Sequence, residues 1–217
     1  MSKEMAKVYD NKAMVPPVCN DFIKCANVPV SQVDWTITSM KIKDQGNHNI
    51  CYAVAFIDAM EISAYYDCEK IVRLSIEQLL DCSTAQGNRG LDGGCFSCSI
   101  AYGYEKSISN ISYYPEDRDT RKCRRELIEP IYRVKDVLTI NGKEKLLQCL
   151  SVAPVSAAIY VTQEFKDYLG GILSYGCPKG AKLNHYVNII GFKIIGGKRV
   201  YLIRNTWGEA WGLGGYA

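Results

Sequence analysis

The chain contains one cysteine whose surroundings suit covalent chemistry. Cys51 stands in the stretch QGNHNICYAVAF, residues 45–56, after a polar loop and at the start of a run with helical spacing. A cysteine nucleophile needs a base or an ion-pair partner to be a thiolate at neutral pH. Taken alone, Cys51 is also compatible with half of a disulfide, a metal ligand or a small buried hydrophobe.

Histidine, the commonest partner of such a thiol, occurs only at positions 48 and 185. His185 stands in KLNHYVNIIGF at the head of a predicted strand, and Asn205 follows another predicted strand in RNTWGEAWG. Each has an ordinary structural explanation alone, but an asparagine can fix the tautomer and orientation of an imidazole. His185 follows Cys51 by 134 residues and Asn205 follows it by 154. The three positions together indicate a nucleophile, a base and a residue that orients the base.

Several sequence blocks in a fixed order resemble the papain family of cysteine peptidases. The resemblance covers nearly all of the chain after residue 28, in the blocks VDWTITSMKIKDQG, QGNHNICYAVAF, SIEQLLDC, GLDGG, APVSAAI, LNHYVNIIGF and RNTWGEAWGLGGY. The spacing of cysteine, histidine and asparagine also agrees with the roughly 130–150 residues typical of papain-like proteases, which is a match and not a derivation.

The resemblance implies a role for each of four residues. Cys51 would be the nucleophile at the N-terminus of a central helix, where the helix dipole favours a thiolate. His185 would be its imidazolium partner and would donate a proton to the leaving amine. Asn205 would orient His185, and Gln45 with the Cys51 backbone N–H would form the oxyanion hole.

The resemblance also implies which residues border the substrate. Gly93 and Gly94 would line the cleft, because missing side chains let a peptide backbone approach closely. Trp207 would belong to the same site and shield the histidine–asparagine contact from water. Tyr186 replaces the small residue that usually follows the catalytic histidine, so we expect a narrowed main specificity pocket that accepts bulky side chains weakly.

Sequence periodicity divides the chain into a helical part and a β-rich part. Helical spacing predicts an amphipathic helix over 51–66, a second helix over 75–82 that begins with a capping box, and a third from Gly93-Gly94 to about Tyr104. After residue 153, short runs rich in β-branched and aromatic residues predict strands. Gly196-Gly197 between two such runs predicts a two-residue hairpin.

The implied fold is α+β, the papain-like two-lobe fold with an active-site cleft between the lobes. We expect an N-terminal arm over 1–27, read as a propeptide remnant, and a peptidase domain over 28–217. The helical lobe would cover about 36–130 and the β-rich lobe about 131–217. No family-like tail follows GGYA, so a strand that completes the second lobe is expected to be missing, which exposes a sheet edge.

Ten cysteines are many for a cytosolic chain. The resemblance implies a Cys82–Cys123 disulfide and a partner for Cys177 in the family's C-terminal tail. The disulfide that usually precedes the nucleophile is absent, since His48 and Leu91 occupy its two positions.

Cys95 and Cys98 form a C-x-x-C pair in GGCFSCSI. Such a pair is half of a zinc site, but no matching pair follows, and a redox pair lacks a thioredoxin-like context. We expect two unbonded, partly buried cysteines on a helix. Cys149 has the setting of a core residue. The sequence leaves open whether Cys19, Cys25 and Cys68 form disulfides.

The composition argues for an ordinary globular domain. The net charge of +3 is too small to imply a nucleic-acid or membrane partner. No apolar stretch approaches the roughly 20 residues of a membrane span, and the N-terminus lacks the apolar core of a signal peptide. The family is typically lysosomal, vacuolar or extracellular, so the compartment stays open. We expect a monomer without metal or cofactor.

The leading functional prediction is a cysteine endopeptidase that hydrolyses peptide bonds of a peptide or protein substrate through an acyl-enzyme thioester. The alternative is a catalytically inactive papain-like homologue or gene fragment that binds a partner or has no activity. Its support is the lost tail, together with Asn49 and Ile50 where the family usually has Gly and Ser. A metal or redox protein built on Cys95 and Cys98 is a more distant alternative.

Overall fold

The computed structural model describes residues 5–12, 32–37, 39–68, 70–117 and 122–217, excepting the side chains of 5–12, 67 and 68. The predictions for Cys19, Cys25 and the Cys68 side chain therefore fall outside the described residues. The helices are α1 (Cys51–Cys68), α2 (Ile76–Cys82), α3 (Phe96–Glu105), α4 (Lys143–Leu150) and α5 (Gln163–Lys166). The strands are β1 (Met5–Lys12), β2 (Val33–Asp34), β3 (Tyr132–Ile140), β4 (Val155–Ile159), β5 (His185–Ile195) and β6 (Lys198–Arg204). This mixture is the predicted α+β class. Within these ranges, no helix is long and apolar enough to cross a membrane.

Contacts along the chain group these elements into two compact units. The β-rich unit contains the described residues of Met1–Lys7, Ile23–Gly46 and Thr139–Ala217, and the helical unit contains those of Val8–Phe22 and Asn47–Leu138. The predicted site residues divide between them. The β-rich unit holds Gln45, His185, Tyr186, Asn205 and Trp207, and the helical unit holds Cys51, Gly93 and Gly94.

Helix α1 forms the centre of the helical unit's core. The prediction that this helix is amphipathic was wrong, because every residue from Tyr52 to Ile62 is buried. The buried stretch includes Asp58 and Glu61, whose polar groups explain why the sequence reads as amphipathic. Glu61 accepts a hydrogen bond of 2.7 Å from the backbone N–H of Leu74, which offsets part of the cost of burying a carboxylate.

Helix α2 begins where the sequence predicts. Ser75 is its N-cap, and the Ser75 hydroxyl accepts the backbone N–H of Gln78 at 3.0 Å. The predicted capping box is only half formed, because the Gln78 side chain turns away from Ser75. Its amide accepts from the backbone N–H of Ser109 and donates to the carbonyl of Ser107. Gln78 thus holds the segment after α3 against α2.

Strand β5 is the central strand of the β-rich unit. It pairs antiparallel with β6 along one edge and with β4 and β2 along the other, so Ile189 lies between Ile203 and Val155. The predicted hairpin is confirmed, since β5 and β6 are joined at Gly196 and Gly197 with φ angles of 55° and 73°. Positive φ at both turn residues matches the right-handed twist of the flanking strands. The sheet thereby brings the start of β5 close to the end of β6.

Candidate active site

His185 and Asn205 form a direct contact in the β-rich unit. His185 is the first residue of β5 and Asn205 follows the last residue of β6. Their side chains are buried, and His185 Nε2 lies 2.7 Å from Asn205 Oδ1. An amide oxygen only accepts, so Nε2 carries the proton and donates. In the neutral ring the lone pair is then on Nδ1, which leaves that nitrogen as the basic atom.

Aromatic rings cover this contact. The Trp207 ring lies with its centroid 4.7 Å from that of His185, at an interplanar angle of 37°. Phe165 contacts both rings, at centroid distances of 6.2 Å from His185 and 5.4 Å from Trp207. Trp211 supports Phe165 from behind and donates its indole N–H to the Phe165 carbonyl at 3.1 Å. Sequence analysis found Trp207 but missed Phe165, which carries no motif of its own.

Burial controls the charge of His185. Removal from water lowers the pKa of the imidazole to about 4, and the hydrogen bond to Asn205 opposes this shift only in part. An imidazolium is poorly stabilised where water is excluded. Near neutral pH the ring is therefore uncharged unless an anion lies beside it.

Gln45 is fixed by the residue that follows Asn205. The backbone N–H of Gln45 donates to the Thr206 carbonyl at 2.8 Å, and the Thr206 hydroxyl donates to Gln45 Oε1 at 2.6 Å. Because Oε1 faces Thr206, the amide directs its two N–H donors the other way. Thr206 is fully buried and was missed by sequence analysis, since a threonine between two motif residues gives no signal. Three consecutive residues therefore act on this site. Asn205 orients His185, Thr206 orients Gln45, and Trp207 covers the contact between His185 and Asn205.

Cys51 is the first residue of α1 in the helical unit. The thiol is half-buried, and Cys51 and Cys177 both keep reduced thiols. The carbonyl of the buried Ile50 accepts the backbone N–H of Val54 at 3.0 Å and starts the helix. The thiol thus lies at the positive end of an 18-residue helix, a position that favours a thiolate.

The loop before Cys51 is attached without a disulfide. The Asn49 backbone N–H donates to the Leu91 carbonyl at 3.0 Å. Leu91 and His48 occupy the two positions where the resemblance leads one to look for bonded cysteines. A main-chain hydrogen bond therefore connects the same two segments.

Tyr52 and the glycine pair fit one another in the helical unit. Tyr52 is buried and donates its hydroxyl to the Gly90 carbonyl at 2.8 Å. A Cβ at Gly94 would lie 2.7 Å from carbons of the Tyr52 ring, and Gly93 has a φ of +116°. Glycine is required at Gly94 for space and at Gly93 for conformation. The Tyr52 ring is therefore packed directly against Gly94, one of the two glycines predicted to line the cleft.

Tyr186 lies on β5 directly opposite Ala158 of β4. Directly opposed residues of an antiparallel pair point to the same face, so the half-buried Tyr186 ring and the Ala158 methyl group lie on that face together. The sequence predicts that Tyr186 narrows the main specificity pocket, and the residue opposite it on this sheet face, Ala158, is small.

The described disulfides agree with one prediction and contradict another. Cys82 and Cys123 are bonded as predicted. The expectation of two unbonded cysteines in the C-x-x-C pair was wrong, because Cys95 and Cys98 are bonded to each other. Their spacing along one helical turn brings the sulfurs within reach, which a search for distant partners overlooks. Cys149 is fully buried as predicted and also takes part in a disulfide.

Among the described residues, no group of acidic, cysteine and histidine side chains is arranged to hold a metal ion.

Comparison with known proteins identifies the family. Residues 29–217 match the model of the papain family cysteine proteases, and the chain therefore belongs to that family. It is 28% identical to a cathepsin L-like proteinase of Phaedon cochleariae over 85% of this chain and 58% of that protein. It is 32% identical to a KDEL-tailed cysteine endopeptidase of Arabidopsis thaliana over 86% of this chain and 53% of that protein. The chain thus spans little more than half the length of these relatives.

Solved structures support the papain-like fold. The structure of digestive procathepsin L 3 from the larval midgut of Tenebrio molitor superposes with a TM-score of 0.77 at 25% identity, covering 97% of this chain and 69% of that one. The proform of the ragweed pollen allergen Amb a 11, a cysteine protease, gives a TM-score of 0.73 at 29% identity, covering 88% of this chain and 61% of that one.

Proposed function

We propose that the chain is a cysteine endopeptidase that hydrolyses peptide bonds of peptide or protein substrates as a monomer, without metal or cofactor. The observation that carries the proposal is the buried contact between His185 Nε2 and Asn205 Oδ1. It leaves Nδ1 as the basic nitrogen and holds the ring in one orientation under the Trp207 indole. This is the arrangement that a cysteine nucleophile needs from its partner.

The proposed reaction uses groups from both units. The Cys51 thiolate attacks the substrate carbonyl carbon, and the Gln45 amide with the Cys51 backbone N–H stabilises the oxyanion. The His185 imidazolium protonates the leaving amine, and the acyl group stays on Cys51 as a thioester. Neutral His185 then takes a proton from water, which attacks the thioester carbonyl. The bond from carbon to sulfur breaks, the acid is released, and Cys51 leaves as the thiolate beside the restored imidazolium. Asn205 keeps the ring oriented through both steps.

Substrate contacts follow from the same proposal. Gly93 and Gly94 would let an extended peptide backbone pair closely with the chain. Tyr186, opposite Ala158, would narrow the pocket for the second side chain before the scissile bond, so small aliphatic side chains should be preferred to Phe there.

The second candidate is a papain-like binding protein without turnover. One observation favours it: burial lowers the pKa of His185 to about 4, which disfavours the imidazolium. Asn49 and Ile50, which stand before Cys51 where the family usually has Gly and Ser, also favour this second candidate. The two candidates differ in whether Cys51 is a thiolate at neutral pH.

Labelling with a peptidyl epoxide that alkylates papain-type thiolates distinguishes the candidates. The modified cysteine is located by peptide mass spectrometry, and Cys177, a second reduced thiol among the described residues, reports general thiol reactivity. Turnover predicts labelling of Cys51 far above Cys177, its loss in His185→Ala, and its retention in the matched variant His48→Ala. Equal labelling of the two cysteines in a folded chain would reject the peptidase and leave the binding protein.

A further inference from the structure

The C-x-x-C pair lies outside the chemistry proposed above. We propose that the Cys95–Cys98 disulfide is a redox-active thiol–disulfide exchange site, opened by a dithiol reductant under conditions that leave Cys82–Cys123 intact. The two sulfurs are bonded to each other and lie on partly exposed residues. Access for an external thiol is the first requirement of such a site.

The surroundings of Cys95 stabilise the product of reduction. The Cys95 sulfur accepts the backbone N–H of Cys98 at 3.0 Å and lies 3.3 Å from the Ser97 hydroxyl. A bonded sulfur carries no proton, so Ser97 donates. Both donors would still face the sulfur after reduction, and hydrogen bonds to an anion are stronger than those to a neutral acceptor. The two donors therefore favour the Cys95 thiolate over the disulfide.

The helix adds to the same effect. Cys95 is the N-cap of α3, a helix of ten residues. The positive end of a helix favours a negative charge on the capping sulfur. A disulfide whose reduced form is stabilised in this way has a higher, more oxidising potential. Cys95 is thus the sulfur that leaves most readily.

The two described disulfides differ in what their loss costs the fold. Cys95–Cys98 joins residues three apart, whereas Cys82–Cys123 joins residues 41 apart. A longer closed loop constrains the unfolded chain more. Cys123 is also followed by Arg124, whose guanidinium pairs with Asp117 at 2.9 Å. Cys82–Cys123 therefore has the features of a structural bond and Cys95–Cys98 those of an exchangeable one.

The exchange proceeds in two displacement steps. One thiolate of a dithiol reductant attacks Cys98 Sγ, the Cys95–Cys98 bond breaks, and its electron pair leaves on Cys95 as a thiolate. The second thiolate of the reductant attacks its own sulfur in the mixed disulfide and releases Cys98, which takes a proton. The protein disulfide gains two electrons, and the reductant becomes a cyclic disulfide. Gly87 places no side chain beside Cys98 Sγ, where a Cβ would come within 3.2 Å, so the attacked sulfur stays open.

The test is an equilibrium titration of the full chain in buffers of graded reduced-to-oxidised dithiothreitol. Samples are quenched with acid, alkylated, and each cysteine peptide is quantified by mass spectrometry. We expect Cys95–Cys98 to be half-reduced at a ratio of reduced to oxidised dithiothreitol at least about tenfold lower than Cys82–Cys123. This tenfold difference corresponds to a reduction potential higher by about 30 mV. Ser97→Ala should raise the ratio needed by about threefold, since one donor is lost. The matched variant Ser112→Ala should leave it unchanged.

Half-reduction of Cys95–Cys98 at the same or a higher ratio than Cys82–Cys123, with the chain still folded, would overturn the proposal. If the chain unfolds and both bonds open together, a second measurement decides. In Cys98→Ala, with Cys82–Cys123 intact, alkylation at pH 6.5 should modify Cys95 at least about fivefold faster than Cys177, because a stabilised thiolate reacts at lower pH. Equal or slower alkylation of Cys95 would overturn the proposal as well.

Discussion

The titration of His185 should depend on Cys51. Burial and the hydrogen bond to Asn205 set the pKa of the His185 imidazole at about 4. Cys51→Ala leaves both in place, so the pKa in this variant should stay near that value. If Cys51 and His185 form the ion pair proposed above, the thiolate should keep the ring charged through neutral pH in the parent chain. The pKa must then rise by at least about 3 units, which corresponds to about 4 kcal/mol of interaction between the two groups.

Nuclear magnetic resonance of the imidazole ring protons measures this directly. The sequence has only two histidines, so His48→Gln assigns both signals. A His185 pKa near 6.5 in Cys51→Ala would refute the argument from burial. The same pKa in the parent and in Cys51→Ala would refute the ion pair.

The same shift makes the stability of Cys51→Ala depend on pH. The unfolded His185 titrates near 6.5 and the folded one near 4, so between these values the unfolded state binds more protons. The contribution of His185 to the free energy of unfolding is then fully present above pH 6.5. It is lost as the pH drops towards 4, by up to about 3 kcal/mol. Urea unfolding across this range should show the loss, and Cys51→Ala combined with His185→Gln should lack this part of it.

Three further predictions concern single side chains. Thr206→Val removes the hydroxyl that holds Gln45, so kcat/KM on a peptide substrate should fall about tenfold, less than for loss of an oxyanion donor itself; Thr206→Ser should restore it, and an unchanged rate would contradict the role of Thr206. Tyr186→Ala should raise the ratio of kcat/KM for peptides with Phe to that for peptides with Val, as the second side chain before the scissile bond, at least about tenfold, as expected for a pocket enlarged by a ring; an unchanged ratio in a peptide library would show that this ring does not limit the pocket. Gly94→Ala should lower the free energy of unfolding in urea by about 1–3 kcal/mol through overpacking, whereas Gly176→Ala, where a Cβ meets nothing within 4 Å, should change it little; equal effects would refute the packing argument.

The sequence predicts those parts of the fold that depend on local patterns. The hairpin at Gly196-Gly197 and the cap at Ser75 follow from short-range backbone geometry, and both are present. The burial of Asp58 and Glu61 in α1 could not be predicted, because it depends on partners distant in sequence, such as the Leu74 backbone. Periodicity reports where polar residues lie on a helix but not whether the fold supplies them with hydrogen bonds.

The candidate site could likewise be predicted only in part from the sequence. Motif positions identify His185 and Asn205 and imply their order along the chain. They do not identify Thr206 or Phe165, because the role of Thr206 arises from the path of the chain after β6 and that of Phe165 from the placement of the short helix α5. The Cys95–Cys98 bond was missed for the opposite reason, since it is so local that it joins residues within one turn.

The hydrogen bond between Asn49 and Leu91 gives the loop before α1 a different kind of attachment from a covalent one. A bond between main-chain groups opens and closes many times during the life of the folded state, whereas a disulfide opens only by chemical exchange. The amide proton of Asn49 should therefore exchange with solvent through local opening that leaves α1 folded. The contact at the start of α1 is thus in a reversible equilibrium. The fraction of molecules in which it is formed changes with temperature and denaturant, whereas a covalent link would stay closed.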